Sequence, residues 1–419
     1  MLTTLPSTGT DWETLRSELI EMKKLDVDWR RGRLPAYIYY YDENLRQVQS
    51  EAYALYGVEN ALGAGKVFKS LTAMLADIGG MAFDLFHAPA GAGMSFTSGG
   101  TESLFEAIKT ARKFFRIKHP GHSGPLNLVA PMTAHPAVNK AGEILDVDIR
   151  RIEVGPEHRA DVDAMAAAVD GNTIMIFGSA PCFTFGVFDP IAALGRLALE
   201  RGLWLHVDGC WGGFISPFAK RLGYPIPDWD LAVPGVTSMS ADIHKFGFAS
   251  KGASLLVFRD EAMKAYERFE YGSSWAKGTY VTPTFLGSRP AGAIASAWAV
   301  MRYLGWEGYM ATTKATMDAT MGFIRGIDAI PGLRCLRPNG ESNLFGFVSN
   351  DPAVDIMAVA DLLDKKGWAT GRLHRPLGIQ QGVNPVHLPI VGEYLDDVRE
   401  AVEQVRASGQ TGAFKDGTY

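Results

Sequence analysis

The feature that most constrains this chain is an alternation. Between about residue 94 and residue 258, short apolar runs take turns with segments of helical periodicity. Residues 126–130, 148–154, 173–178, 203–207, 236–240 and 253–258 read as strands. Residues 137–145, 161–169 and 190–201 carry apolar side chains at helical spacing. Strands that alternate with helices need crossover connections, so an α/β fold around a mostly parallel sheet is expected. The strand candidates are almost continuously apolar, as a sheet covered on both faces requires.

The flanks read differently. The first 75 or so residues are helical and polar, with a tyrosine cluster at Tyr37, Tyr39, Tyr40 and Tyr41. After about residue 305, helical segments at 309–327, 354–366 and 393–408 surround strand candidates at 333–336 and 344–348. The expected division is an N-terminal helical segment (1–75), a large domain (76–305) and a small α+β domain (306–419).

Composition excludes several classes. At 47% hydrophobic and 21% charged, the 419 residues match a globular chain rather than a disordered or fibrous one. A net charge of −5 offers no basic surplus for nucleic acid. The most apolar stretch, 291–306, is interrupted by Ser296 and Arg302 and is shorter than the ~18 residues a transmembrane helix needs. Three cysteines, Cys182, Cys210 and Cys335, argue against a disulfide framework, and no Cys/His cluster has metal-ligand spacing. Residues 1–10 lack the basic and apolar regions of a signal peptide, so a cytoplasmic protein is expected.

Three motifs carry chemistry. Thr97-Ser98-Gly99-Gly100-Thr101-Glu102-Ser103 precedes a helix with apolar positions at Leu104, Ile108, Ala111 and Phe115. Glycines before a helix let a ligand approach the free N–H groups, where the helix dipole favours an anion such as phosphate. The same residues also make an ordinary N-cap. His206-Val207-Asp208-Gly209-Cys210-Trp211 places Asp208 at the C-terminal end of a strand, where open α/β sheets bind ligands. Asp208 alone is as readily a loop cap. Ser240-Ala241-Asp242-Ile243-His244-Lys245-Phe246-Gly247 follows another strand and offers Lys245 as an amine that partial desolvation makes nucleophilic. A single lysine is more often a surface residue. Together, an anion loop, a carboxylate and a lysine 37 residues later match what pyridoxal phosphate needs: a phosphate cup, a partner for the pyridine nitrogen and a Schiff-base lysine.

With these residues in view, the chain resembles the pyridoxal-phosphate-dependent group II decarboxylase superfamily, and within it the lyases of phosphorylated long-chain bases. The likeness runs from about Tyr39 into the small domain and is densest at 97–103, 206–218, 235–259 and 278–292. It implies an aspartate-aminotransferase-like fold (fold type I) and pyridoxal 5'-phosphate as cofactor. It implies that Lys245 forms the Schiff base, Asp208 pairs with the pyridine nitrogen and His135 stacks on the ring. Gly100, Thr101 and His244 are then expected to hold the phosphate, and Cys210 to pack on the other ring face. Gly287 and Ser288, in Gly287-Ser288-Arg289-Pro290, match a segment that reaches the cofactor phosphate of a neighbouring subunit, so a homodimer with shared sites is expected. Lys251, six residues after Lys245, and Tyr39 match residues that assist with substrate phosphate or proton transfer.

The implied reaction is retro-aldol cleavage of a sphingosine-1-phosphate-type base to a long-chain aldehyde and phosphoethanolamine. Lys251, Tyr39 or the freed Lys245 would take the β-hydroxyl proton. The alternative on the same scaffold is an amino-acid decarboxylase or an aldolase for a small β-hydroxy amine. Two departures bear on that choice. Gly63, in Asn60-Ala61-Leu62-Gly63, and Gln380 stand where the lyases carry histidines on the substrate side.

Overall fold

The computed structural model describes residues 4–272, 274–336 and 340–412. Helices α1 (Trp12–Met22), α2 (Glu43–Leu55) and α3 (Lys69–Leu85) come first. Asp11 and Asp42 start α1 and α2 by accepting hydrogen bonds from the Thr14 and Leu45 N–H groups at 3.0 and 2.8 Å.

The central sheet contains β1 (Gly93–Thr97), β2 (Leu126–Pro131), β3 (Val147–Ile152), β4 (Thr173–Ser179), β5 (Trp204–Asp208), β6 (Val236–Ala241) and β7 (Ser254–Phe258). Their spatial order is β1-β7-β6-β5-β4-β2-β3. All neighbours pair parallel except β7, which runs antiparallel to β1 and β6. The connections include α4 (Gly100–Lys118), α5 (Ala137–Leu145), α6 (Val162–Ala168), α7 (Ile191–Arg201) and α8 (Ser216–Arg221).

Burial on both faces explains why β2, β4, β5 and β7 are mostly apolar, whereas the edge strand β3 carries Asp148, Arg150 and Arg151. Leu128, Met175, Trp204, Leu256 and Phe258 pack with α4 and α5 on one face. Their neighbours Val129, Ile176, Leu205, Leu255 and Val257 pack on the other, with α7 and α8. Two cores on opposite faces leave no solvated side.

The six expected strands are present to within a residue or two, but the sheet has a seventh. β1 escapes the apolar pattern because hydroxyls occupy two of its buried positions, Ser95 and Thr97, beside the buried Phe96. Ser95 Oγ donates to Glu267 at 2.5 Å, and Thr97 Oγ1 shares a hydrogen bond with Ser103 at 2.6 Å. A short hairpin of β8 (Phe269–Tyr271) and β9 (Tyr280–Thr282) follows helix α9 (Glu261–Lys264). It too lacks an apolar pattern, since β8 is exposed.

The C-terminal part begins with α10 (Ala291–Asp328), two helical stretches joined across a kink at Gly305, and the helix expected at 309–327 is the second of them. The apolar stretch 291–306 forms the first part of α10, buried up to Met301 apart from half-buried Trp298 and Ala299, with Tyr303 and Trp306 exposed. Helical geometry is interrupted at Gly305, whose φ of 52° is readily adopted only by glycine. Beyond it, β10 (Leu333–Cys335), β11 (Leu344–Ser349), β12 (Gly371–His374) and β13 (Leu377–Gly382) form an antiparallel sheet in the order β10-β11-β13-β12. Helices α11 (Ile356–Lys365) and α12 (Val391–Ser408) pack on it around a separate core that includes Phe323, Phe345, Leu363 and Val398.

Candidate active site

A cavity of about 330 Å³ opens at the C-terminal ends of β4, β5 and β6, against the N-terminus of α4. This is where an open α/β sheet presents its loops to a ligand.

Its first wall is the glycine turn. The chain leaves β1 at Thr97 and enters α4 at Gly100. The buried Glu102 fastens this turn: one carboxylate oxygen accepts from the Ser98 N–H at 2.6 Å, the other from the Leu286 N–H at 3.1 Å. A Cβ on Gly100 would lie 2.7 Å from Cys210 Sγ, and one on Gly99 would lie 3.2 Å from His244 Cε1. Glycine is needed for this close approach, which leaves the first turn of α4 lining the cavity.

The floor comes from strand ends. Asp208 closes β5, and its Oδ1 accepts from the Cys210 N–H at 3.0 Å and from Ser240 Oγ at 3.3 Å. Beneath it, His206 is fixed by Ser238 at 2.8 Å and Ser240 at 3.3 Å. Burial pushes His206 down to about 4, against the pull of Asp208, so it is neutral. Cys210 Sγ donates to Ser240 Oγ at 3.1 Å, and burial holds its thiol well above the ordinary value. That makes Cys210 a packing residue rather than a nucleophile.

Lys245 sits in the turn after β6. Its Nζ is 3.0 Å from Asp242 Oδ2 and 5.8 Å from the centroid of the Trp211 ring. Burial would raise the Asp242 carboxyl, but the charge of the Lys245 ammonium brings it below the ordinary value. Asp242 is therefore a buried anion matched to the lysine. His244 accepts from the Ala253 N–H through Nδ1 at 3.2 Å. Burial lowers it to about 4 despite Asp242, so it too is neutral. His135 accepts from the Ala137 N–H through Nδ1 at 3.1 Å, which leaves Nε2 to carry the ring proton. Burial lowers its pKa, with Asp208 opposing.

The cavity thus gathers Gly100, Thr101, His135, Asp208, Cys210, His244 and Lys245. Two other singled-out residues adjoin it. Lys251 lies with Nζ 4.2 Å from the centroid of Tyr39 and donates to the His244 carbonyl at 3.0 Å. Tyr39 makes edge contacts with Trp211 and Phe246 at 5.9 and 5.2 Å. Lys251 keeps access to solvent, yet crowding by protein, and then the charge of Lys245, lowers it to about 8. Gly287 and Ser288 are not among the residues lining this cavity. Ser288 is held instead by Asn60 Nδ2 at 2.8 Å, and Arg289 donates to the Phe96 carbonyl at 2.9 Å. Gly63 lies in a turn against Phe68. Gln380 donates to the carbonyl of Phe183, a residue that does line the cavity, at 2.5 Å.

Sequence reasoning overlooked Asp242 and Ser179. Asp242 was legible as a carboxylate three residues before a strand-end lysine. Ser179 had no signal, because only strand pairing sets it beside Asp208. Its hydroxyl is buried against the cavity with no hydrogen-bond partner among the described residues. An anion cradle built by glycines, a carboxylate, an amine, neutral imidazoles and a hydroxyl in want of a partner suit a phosphorylated pyridine aldehyde.

Comparison with known proteins points the same way. Residues 69–330 match the pyridoxal-dependent decarboxylase conserved domain. The chain is 37% identical to sphingosine-1-phosphate lyase of Oryza sativa subsp. japonica, over 97% of this chain and 75% of that protein. The structure of sphingosine-1-phosphate lyase from Burkholderia pseudomallei superposes with a TM-score of 0.91 at 35% identity, covering 98% of this chain and 94% of that one. A probable L-tyrosine/L-aspartate decarboxylase of Methanospirillum hungatei is 35% identical over only 64% of this chain. With a glycine-built anion cradle, a buried carboxylate and a strand-end lysine in one cavity, and full-length likeness on top of them, this chain belongs to the pyridoxal-dependent decarboxylase family, among its sphingosine-1-phosphate lyases.

Proposed function

We propose that the protein cleaves the Cα–Cβ bond of a phosphorylated long-chain base of the sphingosine-1-phosphate type, releasing a long-chain aldehyde and phosphoethanolamine. The observation that carries this is coverage at a given identity. Identity to the lyases holds at 35–37% over 97–98% of the chain, including both flanks of the matched domain, whereas a decarboxylase of like identity (35%) covers 64%, and a glutamate decarboxylase structure that covers 97% is only 19% identical.

Pyridoxal 5'-phosphate, when bound, supplies an electron sink conjugated to the substrate nitrogen. In this reading Lys245 holds the cofactor covalently, and Asp242 keeps its amine in place. Asp208 offers its carboxylate to the pyridine nitrogen, and its own bonds to Cys210 N–H and Ser240 orient it. Gly100, Thr101 and His244 hold the phosphate, with the first-turn N–H groups of α4 as donors. His135 and Cys210, which both line the cavity, would be the walls between which the ring is held. Lys251 or Tyr39 takes the β-hydroxyl proton of the substrate, and a proton is returned at Cα, so atoms and charge balance. A lysine lowered to about 8 has an unprotonated fraction near neutral pH, which a base requires.

A second subunit belongs to this reading. α1 has no buried residue, and it exposes Trp12, Leu15, Leu19 and Met22 at helical spacing. Phe285 and Leu286, next to Gly287 and Ser288, are exposed as well. Apolar surface of this kind marks an interaction face. A homodimer would cover it and bring Gly287 and Ser288 to the partner's phosphate site. Sedimentation of the purified protein tests this, and a monomer would reject it. The division into 1–75, 76–305 and 306–419 is likewise proposed. The boundary at 305/306 is supported by the break at Gly305 and the separate C-terminal core, whereas 75/76 falls inside α3; residues 1–3, 273, 337–339 and 413–419 lie outside those described. No helix among the described residues is long and apolar enough to cross a membrane. The three cysteines are unpaired, as a reducing compartment such as the cytoplasm leaves them.

The reaction is tested by incubating cofactor-saturated protein with sphinganine-1-phosphate and, separately, with a panel of amino acids. Aldehyde and phosphoethanolamine are expected. Carbon dioxide from an amino acid, without aldehyde, would transfer the protein to the decarboxylases.

A further inference from the structure

His135 is carried by a loop, not by a strand or helix, yet a ring meant to lie flat on a cofactor must be held closely. The loop from Pro131 to Pro136 links β2 to α5, and its own turn supplies one bond, Ala134 N–H to the Pro131 carbonyl at 3.0 Å. Its carbonyls converge on a residue from another strand. Arg151, on the sheet-edge strand β3, donates to the carbonyls of Ala134 at 2.6 Å, Pro131 at 3.1 Å and Met132 at 3.3 Å. A longer contact of 3.5 Å reaches the carbonyl of His135 itself. Asn139, one turn into α5, accepts from Nε at 3.1 Å and holds the guanidinium from the other side.

This placement opposes the ordinary preference. A cation at the start of a helix works against the dipole, so Arg151 does not sit there to stabilise α5. What it does satisfy is the loop. A guanidinium carries five N–H donors in a fixed plane and can gather several carbonyls at once, which a lysine ammonium does poorly. With those carbonyls drawn to Arg151, the His135 ring lines the cavity with its Nδ1 tied to the Ala137 N–H.

We propose that Arg151 is the positioning residue for His135: it closes the β2–α5 loop around its guanidinium and so fixes the plane of the ring that covers the cofactor. The inference rests on the reading that His135 lies against pyridoxal phosphate, and the experiment separates the two. Cofactor affinity, by fluorescence titration, and the visible circular dichroism of bound cofactor are measured for the wild type, Arg151→Met, Arg151→Lys, His135→Ala and the double variant R151M/H135A. Arg151→Met should weaken cofactor binding about tenfold and diminish the dichroic band, since small misplacements of a contact group have large effects. Arg151→Lys should recover part of the loss. In the His135→Ala background, Arg151→Met should change affinity by less than about twofold, because residues acting through one another are not additive.

Equal factors in both backgrounds would overturn the inference and leave the role of His135 standing. Wild-type affinity and dichroism in His135→Ala would overturn the reading of His135 and the inference with it. If Arg151→Met does not fold, Asn139→Ala, an exposed substitution that releases the guanidinium from one side, replaces it. It should shift the same two signals in the same direction, and no shift would count against the proposal.

Discussion

The floor of the cavity and its rim are built on opposite principles. On the floor, Asp208, Cys210, Ser240 and Asp242 are buried at the ends of adjacent parallel strands; hydrogen bonds tie the first three to one another, and an ion pair ties Asp242 to Lys245. On the rim, Tyr39 comes from the N-terminal segment, Lys251 from the loop before β7, and Gln380 from the C-terminal sheet. Floor residues are neighbours in the sheet, so a strand register fixes their spacing. Rim residues meet only because separate parts of the chain fold over one opening. The floor therefore suits chemistry shared by a whole family, and the rim suits selection among substrates.

Predictions that break or sharpen this contrast fall in order of size. Lys245→Ala should abolish the Schiff-base absorbance and lower turnover by on the order of 10³ or more. Near-normal turnover would remove the floor from the chemistry. Asp208→Asn keeps the shape and loses the charge, and should lower kcat by about 10² while the fold, read by thermal melting, is retained.

Lys251→Met tests the rim and should cost about 10² in kcat with little loss of cofactor binding. Its pH profile carries the sharper signal. The amine is a base only when unprotonated, so wild-type kcat should rise as pH increases through about 8 and level off above it. That limb should be missing in the variant. An unchanged limb would assign the base to Tyr39 or Lys245.

The smallest effect lies behind the floor. Burial holds Glu267 up at about 8, with the Ser95 hydroxyl opposing. Its folded value lies above the ordinary 4.5, so the folded state keeps the proton. The stability it contributes is complete below about pH 4.5 and is lost progressively as pH rises to about 8. Glu267→Gln should therefore melt higher than the wild type at pH 8.5, by about 1 kcal/mol or more, with a smaller gain at pH 5. A constant difference between the two pH values would show that Glu267 is ionised throughout.

Legibility from sequence follows the same line between floor and rim. Strands β2, β4, β5 and β7 were readable because they are mostly apolar, β3 and β6 by their place in the strand–helix alternation, and Asp208 and Lys245 stood out because each follows a strand. β1 was not readable, since Ser95 and Thr97 hide a buried strand behind hydroxyls whose partners, Glu267 and Ser103, only the fold supplies. β12 and β13 were also missed, because Gly371, Arg372 and His374 in the first and Gly378, Gln380, Gln381 and Gly382 in the second break the apolar pattern. In α10 the helical pattern was read only in the stretch beyond the kink at Gly305, and the apolar run before it, which gives no amphipathic period, was not read as helix.

By itself the sequence determined the α/β class and the set of groups at the strand ends, because side-chain periodicity and the glycine turn are local properties. Tertiary structure alone decided which groups became partners. Asp242 beside Lys245 is close in sequence, but Ser179 beside Asp208, Arg151 beneath the His135 loop and Tyr39 over Lys251 are not. Such pairings depend on strand order and on distant segments crossing, and no local pattern of residues encodes them.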